Sequence, residues 1–366
     1  MKSKYFKSLA LMLALMLVVL GLVSCAAEEM TRGEIADMVK TLEDGQVIVS
    51  FPGLGIQPFV INRVAFSIPI GENAITVYWY GVLIVIGMAL GIVYATFRAK
   101  YNEKIKSDDL FDIALWAIVA AIVGARLYYV LTSLDKYKNF WDIFKIWDGG
   151  IAIYGALIAG AIAIFFVCKF KKLKFLKVLD LAAPAVMVGQ IIGRWGNFIN
   201  GEAYGYEIAK DEFLYFIRMG IYPHLNEGIN AASGSLAYVH PTFLYESIWN
   251  LLGFAIINLI YRKKKFDGQI FYAYIAWYGF GRMFIEMLRT DSLYVGAIRI
   301  SLLVGCLCFV AGVALLIFGA EKGKKEQLAK ESYEKQYTNF KTGNPLTSKY
   351  EEENEEQKKE NEDEDN

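Results

Sequence analysis

The chain has 366 residues, of which 55% are hydrophobic, 15% aromatic and 21% charged, with a mean hydropathy of +0.34. Such a composition excludes an ordinary soluble protein of this length, and the charges exclude a chain of lipid-facing helices alone; charge must be segregated, as in a polytopic membrane protein. The 38 basic and 38 acidic residues cancel to a formal net charge of +0, which conceals that segregation and points to no partner.

Lys2, Lys4 and Lys7 precede an apolar run over residues 9–23 that closes on Leu22-Val23-Ser24-Cys25. A basic start, a short apolar core and small residues at its end describe a secretory signal segment over 1–25; the other reading is an uncleaved anchor. Leu-Val-Ser-Cys also resembles a bacterial lipobox, which makes Cys25 a candidate lipidation site. Residues 26–62 read as a polar outside linker.

Seven apolar segments follow, at 76–97, 109–132, 150–168, 178–198, 241–261, 269–288 and 298–319. Each is near the length of about 20 residues that a spanning helix needs. The expected fold is therefore all-α, a polytopic membrane protein with seven transmembrane helices over residues 63–320. A periplasmic or extracellular loop domain occupies 199–240. Small residues such as Gly87, Gly91, Gly155, Gly160 and Gly189 suit close helix packing. Clusters such as Lys169 to Lys177 and Arg262 to Lys265 mark the cytoplasmic loops, which puts the processed N-terminus outside and the C-terminus in the cytoplasm. The Lys/Glu-rich tail over 321–366 is expected to be disordered. Cys168, Cys306 and Cys308 have no ligand spacing and read as core residues, so neither a metal site nor a cofactor is expected.

With this topology the polar residues converge on the outer half of the membrane. Gly193-Arg194-Trp195-Gly196-Asn197-Phe198-Ile199-Asn200-Gly201-Glu202 closes the fourth span, and His240-Pro241-Thr242 with Leu244-Tyr245-Glu246 opens the fifth. Tyr278, Arg282, Glu286 and Arg289 recur at i, i+4 and i+3 on the sixth and share a face. Arg126 lies in the second span and Tyr80 near the start of the first. Singly, Arg282 with Glu286 reads as an ion pair, Glu246 as a structural acceptor and His224 as a loop residue. Together, arginines, carboxylates and amides at similar depth describe a site for an anionic phospholipid head group, because arginine binds phosphate in a bidentate fashion and stays charged.

These motifs, together with Trp79-Tyr80-Gly81, Gly124-Ala125-Arg126-Leu127 and Trp147-Asp148-Gly149-Gly150, resemble the prolipoprotein diacylglyceryl transferase family from about Phe51 to Phe318. The resemblance implies a bacterial cytoplasmic-membrane transferase. It moves a diacylglyceryl group from phosphatidylglycerol to the lipobox cysteine of a prolipoprotein, forms a thioether and releases glycerol phosphate. Its partners would be phosphatidylglycerol, lipobox peptides and membrane lipids, with no nucleic acid and no metal. By position, Arg194, Gly205 and Arg126 are expected at phosphatidylglycerol. Arg282, Glu286, Asn197, Glu202, Tyr154, Tyr278, Tyr80 and His240 are expected at the chemistry.

Many family members have a histidine where this chain has Tyr154, and a phenol near pKa 10 is a poor base for a thiol. The base is therefore open among Tyr154, His240, Glu202 and Glu286. Phe243 replaces a glutamine common in the family and reads as peripheral. A phospholipid or anion transporter is the alternative class, disfavoured by the absence of an internal repeat and the one-sided placement of the polar groups.

Overall fold

The structure, a computed structural model, describes residues 30–71, 73–137, 139–146, 149–222 and 235–341. The signal-like segment with Cys25, and also Trp147, Asp148 and His224, lie outside the described residues. Seven long helices stand where the sequence predicts spans: α2 (Trp79–Arg98), α3 (Ser107–Thr132), α4 (Ile153–Phe170), α5 (Phe175–Asn200), α6 (Thr242–Tyr261), α7 (Gln269–Leu288) and α8 (Ile300–Lys341). Six of these helices are long and apolar enough to cross a membrane. The exception is α7, because Gln269, Arg282, Glu286 and several tyrosines dilute its apolar residues.

The all-α expectation needs correction at one end of the bundle. Residues 26–62, expected as a linker, contain a short helix, α1 (Arg32–Lys40), and two strands, β1 (Gln46–Phe51) and β2 (Ile56–Asn62). Thr31 and Glu34 form a capping box on α1. The run Gln46-Val47-Ile48-Val49-Ser50-Phe51 is rich in β-branched residues and buried on both faces, the pattern of a central strand. It pairs antiparallel with β2 on one side and with β5 (Met219–Tyr222) on the other, and β6 (Ala237–Val239) completes the order β2-β1-β5-β6. The register sets Val49 opposite Ile221 and Gly220 opposite Tyr238. The loop between α5 and α6 thus supplies half of a sheet whose other half comes from the N-terminal region. A separate hairpin, β3 (Val64–Ile70) with β4 (Asn73–Tyr78), leads directly into α2, and a short β7–β8 pair (Tyr294–Val295, Ile298–Arg299) precedes α8.

Two cores follow from this layout. Under the sheet, Val49, Phe51, Tyr204, Met219, Ile221, Val239 and Phe243 pack together. Phe243 is therefore a core residue and not the peripheral one expected: it stacks on Phe198 with ring centroids 4.6 Å apart and meets Trp195 edge-on at 5.5 Å. Toward the opposite ends of the helices, Leu110, Val178, Leu181, Met187, Ile257 and Ile270 form the second core. Here buried Asp180 accepts the N–H groups of Gly268, Ile270 and Phe271, answering donors that the start of α7 leaves open.

Packing between helices sets the geometry of the site. Gly124 and Gly155 let α3 and α4 touch backbone to backbone; a Cβ on Gly155 would lie 2.2 Å from the Gly124 carbonyl oxygen. On α6 and α7, the indoles of Trp249 and Trp277 stack at 4.2 Å, and each N–H donates to the other's backbone carbonyl, at 3.1 and 3.0 Å. That reciprocal lock fixes the register of the two helices, and with it which residues of α6 face Arg282.

The last helix also differs from expectation. Its residues up to 314 belong to the main unit of the chain, and a second unit begins at Leu315. The helix continues through Glu321 to Lys341, where disorder was expected. Lys, Glu, Gln and Ala favour helix even when they bury nothing, and Gln327 donates to Glu331 one turn on at 2.9 Å.

Candidate functional site

The site lies where α5 ends, α6 begins and α7 ends. Helix α5 stops because Gly201 adopts φ 60, the left-handed conformation open to glycine, and its N–H closes on Asn197 and Phe198. The turn returns Glu202 over the last helical residues. Its carboxylate accepts Asn197 Nδ2 at 2.9 Å and Asn200 Nδ2 at 3.3 Å. Asn197 Oδ1 in turn accepts Arg194 Nη1 at 3.1 Å.

Glu246, one turn into α6 and 5% exposed, is the hub. Its Oε2 lies 2.5 Å from Arg194 Nε, and its Oε1 lies 2.5 Å from Arg282 Nη1 and 3.3 Å from Arg289 Nη1. Arg282 also contacts Glu286, one turn further along α7 and 1% exposed, through Nη2. Arg289 is shared with Asp291 at 2.8 Å, and Arg299 Nη1 donates to the Glu286 carbonyl at 2.7 Å. The result is a continuous chain of alternating charge, from Glu202 through Asn197, Arg194, Glu246 and Arg282 to Glu286. Tyr278 is an electrostatic neighbour of Arg282, Glu246 and Arg194, and Tyr80 of Glu202 and Arg194.

Other expected residues stand elsewhere. Arg126 does not join the cluster. Its guanidinium donates to four backbone carbonyls, those of Ile143 (2.7 Å), Gly149 (2.6 Å), Gly150 (2.9 Å) and Asp142 (2.8 Å), and thereby clamps the loop between α3 and α4. Tyr154 starts α4 and is half-buried, and among the described residues no hydrogen bond joins it to the arginines. Gly205 acts through its backbone: its N–H donates to the His240 carbonyl at 2.9 Å, it bridges Arg289, and a Cβ would lie 2.7 Å from the Leu288 carbonyl oxygen. The His240 ring sits between Glu212 Oε2 at 3.0 Å and the Tyr245 hydroxyl at 3.2 Å, outside the arginine cluster. Burial lowers its pKa below the usual imidazole value, with the Glu212 carboxylate opposing. Among the described residues no group of His, Cys, Asp and Glu could hold a metal ion.

Sequence reasoning undervalued two groups. Glu246 reads as a structural acceptor until its three arginines are seen around it. Arg299, with Tyr206 and Tyr294 on its guanidinium, follows the last recognised motif and carries no spacing signal.

Chemically, the cluster offers three guanidinium groups to an anion while one buried carboxylate keeps them together before the anion arrives. A phosphodiester can replace part of the Glu246 contact and receive bidentate donation.

Known proteins match this chain closely. A family profile described as prolipoprotein diacylglyceryl transferase matches residues 63–318. The phosphatidylglycerol–prolipoprotein diacylglyceryl transferase of Finegoldia magna is 46% identical over 259 residues, covering 70% of this chain and 95% of the relative. The protein of the same name from Enterococcus faecalis is 44% identical over 261 residues, covering 70% and 90%. Transferase 1 of that name from Clostridium perfringens is 40% identical over 272 residues, covering 73% and 98%.

Proposed function

The chain belongs to the prolipoprotein diacylglyceryl transferase family, and from that premise we propose how its residues carry out the transfer from phosphatidylglycerol to the lipobox cysteine of a prolipoprotein. The observation that carries the reading is the convergence of Arg194, Arg282 and Arg289 on Glu246. The phosphate of phosphatidylglycerol enters this cluster, and Arg194 and Arg282 bind its oxygens.

The substrate sulfur attacks the glycerol carbon that bears the phosphate. A C–S bond forms, the C–O bond breaks and glycerol phosphate leaves with the electron pair. Negative charge grows on the leaving oxygens, where preorganised guanidinium groups stabilise it most. The same arginines favour the thiolate. Of the four groups open as base, Glu202 is half-exposed and joined to Arg194 through Asn197, so we assign it the thiol proton. His240 orients the α5–α6 loop through its backbone and Glu212. Glu286 holds Arg282, and Arg126 holds its loop away from the phosphate. Tyr80 and Tyr278 border the phosphate, and Gly205 lets the loop approach Arg289.

The fold is read as a seven-span protein of the bacterial cytoplasmic membrane, with α7 as the seventh span shielded by its neighbours and the sheet outside. Basic residues at 169–177 and 262–265 mark the inner side, and the C-terminus is cytoplasmic. The lipobox-like Leu22-Val23-Ser24-Cys25 makes the chain a substrate of its own reaction class, lipidated at Cys25. A transfer assay with phosphatidylglycerol vesicles and a lipobox peptide tests the assignment: Arg194→Ala and Arg282→Ala should each abolish transfer, and full activity in both would remove the proposed site.

A further inference from the structure

Beneath the charged network lies a second polar layer, of which the transfer mechanism uses only Tyr278. Helices α5 and α7 run toward the sheet and α6 runs away from it. Gln190, four residues before Arg194, Asn250, four residues after Glu246, and Tyr278, four residues before Arg282, therefore all lie on the side away from the sheet. Four residues of helix rise about 6 Å. The three residues form one layer, a single turn deeper than the arginines.

Asn250 is 4% exposed, and its Oδ1 has no hydrogen-bond partner. Gln190 donates through Nε2 to the Tyr274 hydroxyl at 3.0 Å, while its buried Oε1 also has no partner. Asn250 lies on α6 between Glu246 and Gly253, at i, i+4 and i+7, and both neighbours face α5 and α7. Glu246 meets Arg194 and Arg282, and a Cβ on Gly253 would lie 2.2 Å from Trp277 Nε1 and 2.7 Å from Met187 Cε. Asn250 thus points into the junction of the three helices. A buried amide with an unanswered polar atom, inside helices that cross lipid, is costly and marks a place that something else completes.

We propose that Asn250 and Gln190, bordered by the Tyr278 hydroxyl, form a subsite for the ester carbonyl groups of the diacylglyceryl moiety. The proposal rests on the reading that Arg194 and Arg282 hold the phosphate. In a glycerophospholipid the ester carbonyls follow the phosphate by a few bonds on the acyl side, which is one layer deeper here. A terminal amide that turns about its last bond exchanges its oxygen for its NH2 at the same position, so Asn250 can present a donor to a carbonyl. The transferred group keeps both esters, and a site that grips them holds the electrophilic carbon in place while the phosphate leaves.

The test compares two phosphatidylglycerols of equal chain length, one with ester and one with ether links, in vesicles with the full chain and a lipobox peptide. The ether lipid has the same phosphate and no carbonyls. Wild-type kcat/KM should favour the ester lipid by about fivefold to tenfold, the worth of one good hydrogen bond. Asn250→Leu should bring that ratio near unity by slowing the ester lipid, and Gln190→Leu should lower it in the same direction. A purely structural role would slow both lipids alike and leave the ratio unmoved. A wild-type ratio of unity, or an unchanged ratio in both variants, overturns the subsite and leaves only ordered water at the amides. Thermal stabilisation by each lipid reads the subsite without turnover. A wild type that binds the ester lipid better yet transfers neither would refute the diacylglyceryl-transfer reading and leave the subsite standing; equal stabilisation by both lipids would overturn the subsite itself.

Discussion

Replacing Glu246 by Gln removes one negative charge and almost no volume from the centre of the cluster. In the wild type its two oxygens meet Arg194 and Arg282 at 2.5 Å and Arg289 at 3.3 Å, and all four side chains are largely buried. One such pair attracts by about 4 kcal/mol at an effective dielectric of ~20. Desolvation of the charges offsets much of this while the cluster is intact. Once the carboxylate is gone, three guanidinium groups face one another with Glu286 and Asp291 as remaining anions, and breaking a buried pair in this way costs about 3–5 kcal/mol. Glu246→Gln should therefore unfold well below the wild type in detergent without phospholipid. Phosphatidylglycerol at ~100 times its Kd stabilises a binding protein by about 2.7 kcal/mol. The variant should gain more than the wild type, since the phosphate then meets the arginines with no carboxylate to displace. Transfer should fall about 100-fold because the arginines lose their spacing. The measurement is thermal unfolding of both proteins with and without phosphatidylglycerol, beside phosphatidylcholine as a control. Equal melting temperatures, or a smaller phosphatidylglycerol effect in the variant, would refute the view that Glu246 holds the arginines for an incoming phosphate.

Arg126→Ala frees four backbone carbonyls and should cost about 3 kcal/mol or more of stability, with phosphatidylglycerol affinity per folded molecule unchanged; a selective loss of lipid affinity would return Arg126 to the lipid site. Glu202→Gln should lower kcat with little change in KM for phosphatidylglycerol, and Tyr154→His should leave the pH–rate profile of a Glu202-dependent enzyme in place; a new limb near pH 6.5 in Tyr154→His would shift the base to α4. His240, whose folded pKa lies below its unfolded value near 6.5, contributes stability that is complete above that value and lost as pH falls through the folded pKa, so the slope between pH 7 and 5 should flatten in His240→Gln. Mass spectrometry of the mature N-terminus should find a diacylglyceryl group on Cys25, and an intact Met1 with unmodified Cys25 would end that reading.

The helices were legible because apolar runs of spanning length have few other solutions, and Arg194, Asn197, Glu202, Arg282 and Glu286 were legible because helical spacing and the glycine-bounded motif group them. The sheet was not. Gln46–Phe51 is short, with Ser50 interrupting its apolar residues, and only pairing with Met219–Tyr222, far along the chain, reveals it as a central strand. The partners of Arg126 were hidden for a related reason: an arginine in an apolar segment signals that a partner exists, and backbone carbonyls satisfy it as well as a phosphate does. Phe243 in place of a polar residue made sense only once Phe198 and Trp195 were seen against it.

The sheet also sets an order of assembly. Strand β1 leaves the ribosome early, yet its partner β5 follows only after α2, α3, α4 and α5 have been made. Until then Val47, Ile48 and Val49, which end with no exposed surface, are uncovered on a strand with an open edge. Pairing across so long a separation is slow, and waiting apolar strands are prone to wrong partners. Gln46–Phe51, lying ahead of the region matched by the family profile, is thus the segment where synthesis rate and folding helpers should govern yield most strongly.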